Sequence, residues 1–386
     1  MEIRWPAHEE MNICLITPAF PLDEEDYRAA FSLDFARVIE KRGHKIIVHT
    51  PDREGEKVDL GLDIIWFRWS GGRKAIARTR FWHPRDVYDL LSLIKNGTAS
   101  LLRLIEREKI DACLALWAIP CGVFAYRAFK KTGVPYSVWA LGSDIWTYGN
   151  VPIFRKIIFT VFKHAMRCYA DGFGLAKKVE RIAQRNCTFL PTSRKLPPPQ
   201  DGAPNKDENQ TRFLFVGRFD RVKGAESLIE ASAALKEKRD DFTVEIRGEG
   251  PLERRLRKRI DALGLSNAVH LSGRLSRQAF SNELKQADAL VIPSSMESIP
   301  VVMTDALQKG VPVIVSNVGD MGYLVRTFGV GQVFEPGDVG GLADSMNQFI
   351  GSKTGFEKRI PELVEEISIE RAADIYLRSL KKKHDE

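Results

Sequence analysis

The feature that most constrains this chain is an alternation, run through twice, of short apolar stretches with segments of helical period. Such alternation marks doubly wound, mostly parallel α/β sheets, whose helices cover both faces. The first cycle opens with residues 12–17 (NICLIT), apolar enough to be buried on two sides. A loop with Pro18, Pro21 and four acids at 23–26 follows, and reads as solvated. A helix is predicted over 28–42, closed by Gly43, a residue suited to the left-handed turn past a helix end. Strands are expected at 45–50, 63–67, 111–116 and 136–140, with helices between them. The second cycle starts at 212–216 (RFLFV) and continues with strands at 242–247, 268–271, 289–292 and 313–315. Helices are expected at 225–236, 252–263, 277–286 and 301–308. Between the cycles, residues 191–211 hold five prolines and a polar tail, and read as an interdomain linker. The fold class is α/β: two Rossmann-like doubly wound parallel-sheet domains facing a cleft, residues 1–205 and 206–360, followed by a helix over 361–386.

Composition narrows the function classes. The 58 Lys and Arg exceed the 51 Asp and Glu by 7, a small excess that does not call for nucleic acid. Five scattered cysteines, with no CxxC pair, read as reduced intracellular thiols. Residues 1–11 contain Arg4, His8, Glu9 and Glu10 and form no apolar signal core; Met11 reads as the better start, because the first strand begins right after it. The longest uncharged stretch, residues 112–126, is shorter than the roughly 20 residues a spanning helix needs. A cytoplasmic protein is expected, soluble or held at the inner face of a membrane. No convincing metal set is present.

In such sheets ligands bind beyond the carboxyl ends of strands, so the informative loops follow strands. Gly217-Arg218-Phe219-Asp220-Arg221-Val222-Lys223-Gly224 follows one directly. Gly217 lets the chain turn, and Arg218 and Lys223 supply the fork and the point charge that suit a diphosphate. The plain alternative is a solvated basic loop. Arg247-Gly248-Glu249-Gly250-Pro251 is a second such turn, whose glycines admit close backbone approach, or simply a β–α connection. The third loop is the most specific: Pro293 to Pro300, containing Glu297, Ser298 and Ile299, then Val301 to Ala306, containing Asp305. Pro300 suits the first helical position. Pro300 to Asp305 would span about 7–8 Å along the helix, so two carboxylates could grip hydroxyls on either side of a diphosphate held by first-turn amides. Favourable interaction with the helix dipole would account for Glu297 alone; Asp305 lies too deep for it.

These loops, with Gln286-Ala287-Asp288, Pro293-Ser294, Glu297 with an acid eight residues on, and Gly310-Val311-Pro312-Val313, resemble family-4 glycosyltransferases in order and spacing over about 150 residues. Residues 13–17, Gly43-His44 and Gly142-Ser143-Asp144 resemble the family more loosely, and Arg371 to Tyr376 resembles its closing helix, which crosses back to the first domain. The resemblance implies a GT-B-type fold and a retaining transferase that needs no cofactor and takes a nucleotide-diphosphate sugar, a UDP- or GDP-sugar, as donor. It implies that Arg218 and Lys223 hold the diphosphate, that Glu297 contacts the donor sugar, and that Asp305 contacts the ribose. Asp144 joins the catalytic set. Gly217, Gly248, Gly250, Arg274, Leu275, Ser298, Ile299, Pro300 and Val301 join Asp305 in lining the nucleotide-sugar site. The chain departs from the family pattern in having Asp305 where glutamate is usual, Leu141 where a histidine often stands, and 27–31 (YRAAF) near the place of a glycine pair, where Arg28 could reach an anionic acceptor.

The basic excess gathers in two segments. Residues 73–85 (RKAIARTRFWHPR) read as an exposed loop, and 154–167 (FRKIIFTVFKHAMR) as a basic amphipathic helix whose plainer role is packing. Both would suit an anionic membrane surface. The expected partners are a nucleotide sugar and a saccharide or lipid-linked acceptor, with a membrane surface contact and no nucleic acid. The reading is a glycosyltransferase building a polysaccharide, glycolipid or other glycoconjugate; the alternative is a non-catalytic nucleotide-sugar-binding scaffold.

Overall fold

The computed structural model describes residues 10–26, 28–72, 83–200, 209–352 and 355–381, apart from the side chain of Ser143. The chain forms two compact units, Met1–Pro191 with Ile369–Glu386, and Thr192–Ser368.

The first unit is built on a seven-stranded parallel sheet of β1 (Asn12–Ile16), β2 (Lys45–Pro51), β3 (Asp63–Phe67), β4 (Ala112–Leu116), β5 (Tyr136–Ala140), β6 (Cys168–Ala170) and β7 (Cys187–Phe189). Its order is β3-β2-β1-β4-β5-β6-β7. The apolar runs are explained by burial on both faces. Along β1, Cys14 and Ile16 enter one core cluster, while Ile13 and Leu15 enter the other. Along β4, Cys113 and Ala115 face one way and Ala112, Leu114 and Leu116 the other. Alternation persists in side-chain direction, yet polarity does not alternate, because neither face meets water.

Helices Pro84–Glu108, Cys121–Thr132, Pro152–His164 and Phe173–Ala183 cover one face. Ala30–Lys41 and the C-terminal helix Ile369–Lys381 cover the other. Ile369, Ala372, Ala373, Tyr376, Leu377 and Leu380 recur at three- and four-residue spacing and are all buried, which makes one apolar stripe. Arg42 adds a salt bridge to Asp374 at 2.9 Å, and the Tyr169 hydroxyl donates to Ser379 Oγ at 2.6 Å.

The second unit carries a six-stranded parallel sheet of β8 (Thr211–Val216), β9 (Phe242–Arg247), β10 (Val269–Ser272), β11 (Ala289–Ile292), β12 (Val313–Ser316) and β13 (Gly331–Phe334), in the order β10-β9-β8-β11-β12-β13. Strand order thus reverses between β1 and β4 in the first unit and between β8 and β11 in the second.

Four expectations change. Residues 192–200, expected as part of a linker, lie against the second unit's helices: Gln308 donates to the Arg194 carbonyl at 2.9 Å, Lys309 to that of Pro197 at 2.8 Å and Ser281 to the same carbonyl at 2.6 Å. The acidic loop 23–26 is not merely solvated, because the Asp26 side chain is 5% exposed and takes salt bridges from Arg28 at 2.9 Å and Arg53 at 3.0 Å. The basic helix stops at His164, so Arg167 lies outside it, directly before β6. It buries Ile158, Val161 and Phe162 yet leaves Ile153 67% exposed, so packing accounts for only part of its apolar face. Tyr27 and residues 73–82 of the other basic segment lie outside the described residues.

Among the described residues, no helix is long and apolar enough to cross a membrane, and no group of three or more His, Cys, Asp or Glu side chains is placed to hold a metal ion.

Candidate active site

A parallel sheet opens a crevice where strand order reverses, because neighbouring strands send their following loops in opposite directions. In the second unit that place lies between β8 and β11, and the two loops with the strongest sequence signals leave from those strands. They meet there. The Lys223 ammonium pairs with Glu297 Oε1, and Ser294 Oγ donates to the same oxygen at 3.2 Å. The Ser295 amide donates to the Val222 carbonyl at 2.8 Å, joining the loops main chain to main chain. Ser316, at the end of β12, donates to the Ser294 carbonyl at 2.5 Å. The Glu297 side chain is 14% exposed and that of Lys223 34%, so the pair sits at a partly dry mouth rather than on open surface.

Glycine makes this approach feasible at Gly224. Its φ is 75°, and a Cβ there would lie 2.0 Å from the Pro293 carbonyl oxygen. Behind the Glu297 loop stands Gly319 with φ 55°, where a Cβ would lie 2.2 Å from the Glu297 carbonyl oxygen. Gly217 and Gly248 continue the same crowded layer: the Gly217 amide donates to the Arg247 carbonyl at 3.0 Å, and that of Gly248 to the Ser272 carbonyl at 3.2 Å. Phe219 donates to the Glu249 carbonyl at 2.8 Å, so Gly250 follows directly against the first loop.

Arg218 is 66% exposed in its side chain and pairs with Asp220. Asp220 also caps the short turn Arg221–Lys223, accepting from the Lys223 amide at 3.1 Å. Arg274 lies 3.7 Å from Glu249 at the end of the next loop along the sheet, and Leu275 follows it, half-buried. Ser298 is half-buried, and Ile299 and Pro300 are buried. Pro300 is the cap of helix Val301–Gln308, with extended ψ of 138°, one position earlier than expected. No side chain caps this helix, so its first amides remain the anion-favouring end of a dipole beside Glu297.

Two expected site carboxylates are sealed from solvent and engaged by neighbouring groups. Asp305 is fully buried and is held bidentately by Arg194, with Nη2 to Oδ2 at 2.7 Å and Nε to Oδ1 at 3.2 Å. Arg194 carried no signal in the sequence: it sits in a proline-rich stretch, 111 residues from its partner. Asp144, in the first unit, is also fully buried. It accepts from the Ala118 amide at 2.8 Å and the Leu141 amide at 3.2 Å, tying the loops after β4 and β5 together. Burial pushes its pKa up to about 6, against the pull of those amides. Leu141 is half-buried and packs on the core cluster of the C-terminal helix. Arg28 is engaged by Asp26. Gly319 was also missed; a lone glycine in a Val-Gly-Asp context carries no readable motif.

Residues 199–362 match the family model of glycosyl transferases group 1. TuaC of Bacillus subtilis (strain 168), whose name places it among teichuronic acid biosynthesis glycosyltransferases, is 26% identical over 65% of this chain and 64% of its own length. The alpha-D-kanosaminyltransferase of Streptomyces kanamyceticus is 28% identical over 36% of each chain. The chain thus spans less than two thirds of the length of these relatives. Among solved structures, sucrose-phosphate synthase from Thermosynechococcus elongatus superposes with a TM-score of 0.78 at 17% identity, over 97% of this chain and 99% of that one. Anabaena Alr3699/HepE in complex with UDP and glucose does so at 0.71 and 14%, over 96% and 100%. The two parallel-sheet units have the GT-B fold, and residues 199–362 of the second carry the glycosyl transferases group 1 signature.

Proposed function

We propose that this chain is a retaining glycosyltransferase that takes a nucleotide-diphosphate sugar, with UDP or GDP as the nucleotide. The acceptor is a saccharide or lipid-linked glycoconjugate. The observation that carries the reading is the Lys223–Glu297 pair at the strand-order reversal of the second unit. A diphosphate entering there would take Lys223 as its counter-ion and set the helix Val301–Gln308 amides on its other side. Glu297, released, would accept hydroxyls of the donor sugar. Arg218 would turn from Asp220 to the same anion, exchanging an exposed pair for a phosphate. Cleavage of the anomeric C–O bond builds charge on the diphosphate, and fixed cations at that place lower the barrier. The bound UDP in the HepE structures supports a uridine nucleotide as the first to try.

The test is a thermal-shift screen of UDP, GDP and their sugars, followed by NMR of the anomeric proton of the product. Stabilisation by one of them and an α-linked product from an α-linked donor support the reading. No stabilisation by any, or an inverted product, removes it.

One set of observations favours the scaffold reading. Asp144 and Asp305 are both fully buried, and Leu141 offers no polar group. That reading predicts nucleotide-sugar binding without transfer or donor hydrolysis, and no gain on restoring Leu141→His. We further propose membrane-surface contact through helix Pro152–His164, where Val151, Ile153 and Ile157 are exposed beside Arg155 and Lys156. Salt-sensitive sedimentation with anionic liposomes tests it; no association at low salt counts against it.

A further inference from the structure

The corner where Asp305 sits was expected to read the ribose of the donor. Its chemistry in this chain is different. The carboxylate lies below the surface, wholly buried, and two guanidinium nitrogens of Arg194 close on it at 2.7 to 3.2 Å. The Arg194 side chain is itself 14% exposed, and its guanidinium lies over the Phe280 ring, 5.8 Å from the centroid. A desolvated carboxylate in a bidentate arginine fork is strongly committed, because freeing it would leave two charges without their shared compensation.

Arg194 does not act alone. The segment it belongs to, 194–198, runs along two helices and each of its five carbonyls accepts a hydrogen bond, that of Leu196 from Lys309 at 3.4 Å. Gln308 donates to the Arg194 carbonyl, Arg277 to that of Lys195, and Lys309 to that of Pro197. Gln278 donates to the carbonyl of Pro198 at 3.0 Å. Two of the donors, Gln308 and Lys309, stand at the C-terminal end of helix Val301–Gln308. Burial lowers the pKa of Lys309, and the Asp305 carboxylate opposes that shift. The helix whose first turn borders Glu297 is thus strapped along its far half by chain 194–197, with the Arg194–Asp305 pair as the central clasp.

We propose that Arg194 is a positioning residue that takes Asp305 out of nucleotide recognition: the pair fixes segment 194–198 to the site helix, and Asp305 does not read the ribose hydroxyls. This rests on the nucleotide-sugar reading for its second clause only. Affinity for the nucleotide then falls on Lys223, Arg218 and the first-turn amides. Substitutions at Asp305 loosen the strap without changing preference between ribose and deoxyribose.

Two measurements on the full chain separate the clauses. The first is trypsin cleavage after Lys195, an exposed residue within the strap. Asp305→Asn is expected to raise that rate at least ten-fold over the parent, and Arg194→Ala likewise, with Arg194→Lys restoring part of the protection. Because either single variant leaves a buried charge without its partner, Arg194→Gln combined with Asp305→Asn serves as the folded control, and it too should be cut faster. Unchanged cleavage in all these variants overturns the clasp. The second is the ratio of dissociation constants for 2′-deoxy-UDP and UDP, with the guanosine pair alongside, by calorimetry. The ratio in Asp305→Asn is expected to stay within two-fold of the parent value. A ratio that collapses to one from ten or more overturns the ribose clause. If neither UDP nor GDP binds the parent chain, the nucleotide reading itself fails and takes the ribose clause with it, while the clasp is still decided by the trypsin result.

Discussion

The two sheets reverse strand order at matching places, between β1 and β4 and between β8 and β11, yet they furnish those places differently. At the second, opposite charges from two loops meet at a partly open mouth, Lys223 against Glu297. In the first unit, the motif acid Asp144, which follows β5, is sealed under the amides of Leu141 and of Ala118 in the loop after β4. One polar group is poised to exchange partners; the other is spent on main chain. The contrast teaches that a motif acid found after a strand is a binding group only where the neighbouring loop leaves its side chain a route to solvent.

Removing Lys223 should break the comparison most visibly. Lys223→Ala takes away the cation proposed for the leaving diphosphate, and losing one such contact costs on the order of 10²–10³ in rate. Transfer from the donor identified by the thermal-shift screen should fall by that factor, whereas Lys178→Ala on the first unit, whose ammonium lies over the Trp146 ring, should leave it within about three-fold. Equal losses would mean that the second unit's crevice has no special role.

Glycine substitutions sharpen the same contrast through stability. Gly224→Ala puts a Cβ against the Pro293 carbonyl at φ 75°. Gly142→Ala, after β5, meets nothing closer than Trp146 Cδ1 at 3.6 Å, although its φ is 102°. Left-handed strain costs about 1 kcal/mol at Gly142, and strain plus collision about 2–4 kcal/mol at Gly224. Urea denaturation measures both; a Gly224 variant as stable as the Gly142 variant would show that the two loops are not pressed together.

Much of this was legible beforehand, and for a physical reason. Strands buried on both faces read as continuous apolar runs, so β5 and β11 match their expected limits residue for residue, and β9 (FTVEIR) matches through its alternation of buried apolar and half-buried side chains. The three-residue strands β6 and β7 were missed because three residues carry no period. Lys223 and Glu297 stood out because each occupies a loop whose glycines and prolines fix its shape locally. Arg194 did not, since its partner is set by tertiary packing 111 residues away and its neighbours Pro197 to Pro199 looked like a linker. The burial of Asp144 and Asp305 was equally hidden, because sequence spacing gives a side chain's place along an element and not its depth.

Acid titration tests the sealed corner of the first unit against a second buried group there. His49 on β2 is fully buried, stacked on Phe67 with centroids 4.7 Å apart, and burial drops its pKa from 6.5 to about 3. The unfolded chain takes up a proton below pH 6.5 that the folded chain refuses until about pH 3. The stability tied to His49 is complete above pH 6.5 and is lost as pH falls through that window. Asp144 has the opposite sign: its pKa rises from 3.8 to about 6, so the folded unit holds a proton the unfolded chain gives up, and stability falls as pH climbs from 3.8 to 6. The two largely offset each other between pH 4 and 6. His49→Leu should remove about 2 kcal/mol of acid sensitivity between pH 7 and pH 5, and Asp144→Asn should change the pH 4–6 slope by about the same amount the other way. Parallel profiles for the parent and both variants would show that neither group is sealed as described.

The smallest effect is expected where an arginine–carboxylate pair lies in water. Arg42 and Asp374 join the first helix to the C-terminal one, much as Arg194 and Asp305 join a strap to its helix. Their side chains, however, are 43% and 36% exposed, against 14% and 0% for the buried pair. The exposed fork gains little over its hydration, pays side-chain entropy and is screened by salt, so Arg42→Ala should cost about 0.2–1 kcal/mol, less in 1 M NaCl. The apolar stripe from Ile369 to Leu380 would then hold the C-terminal helix with little help from charge. A loss of 3 kcal/mol or more, independent of salt, would place Arg42 in the same class as Arg194, and the depth of a pair would no longer tell which of these ion pairs the fold depends on.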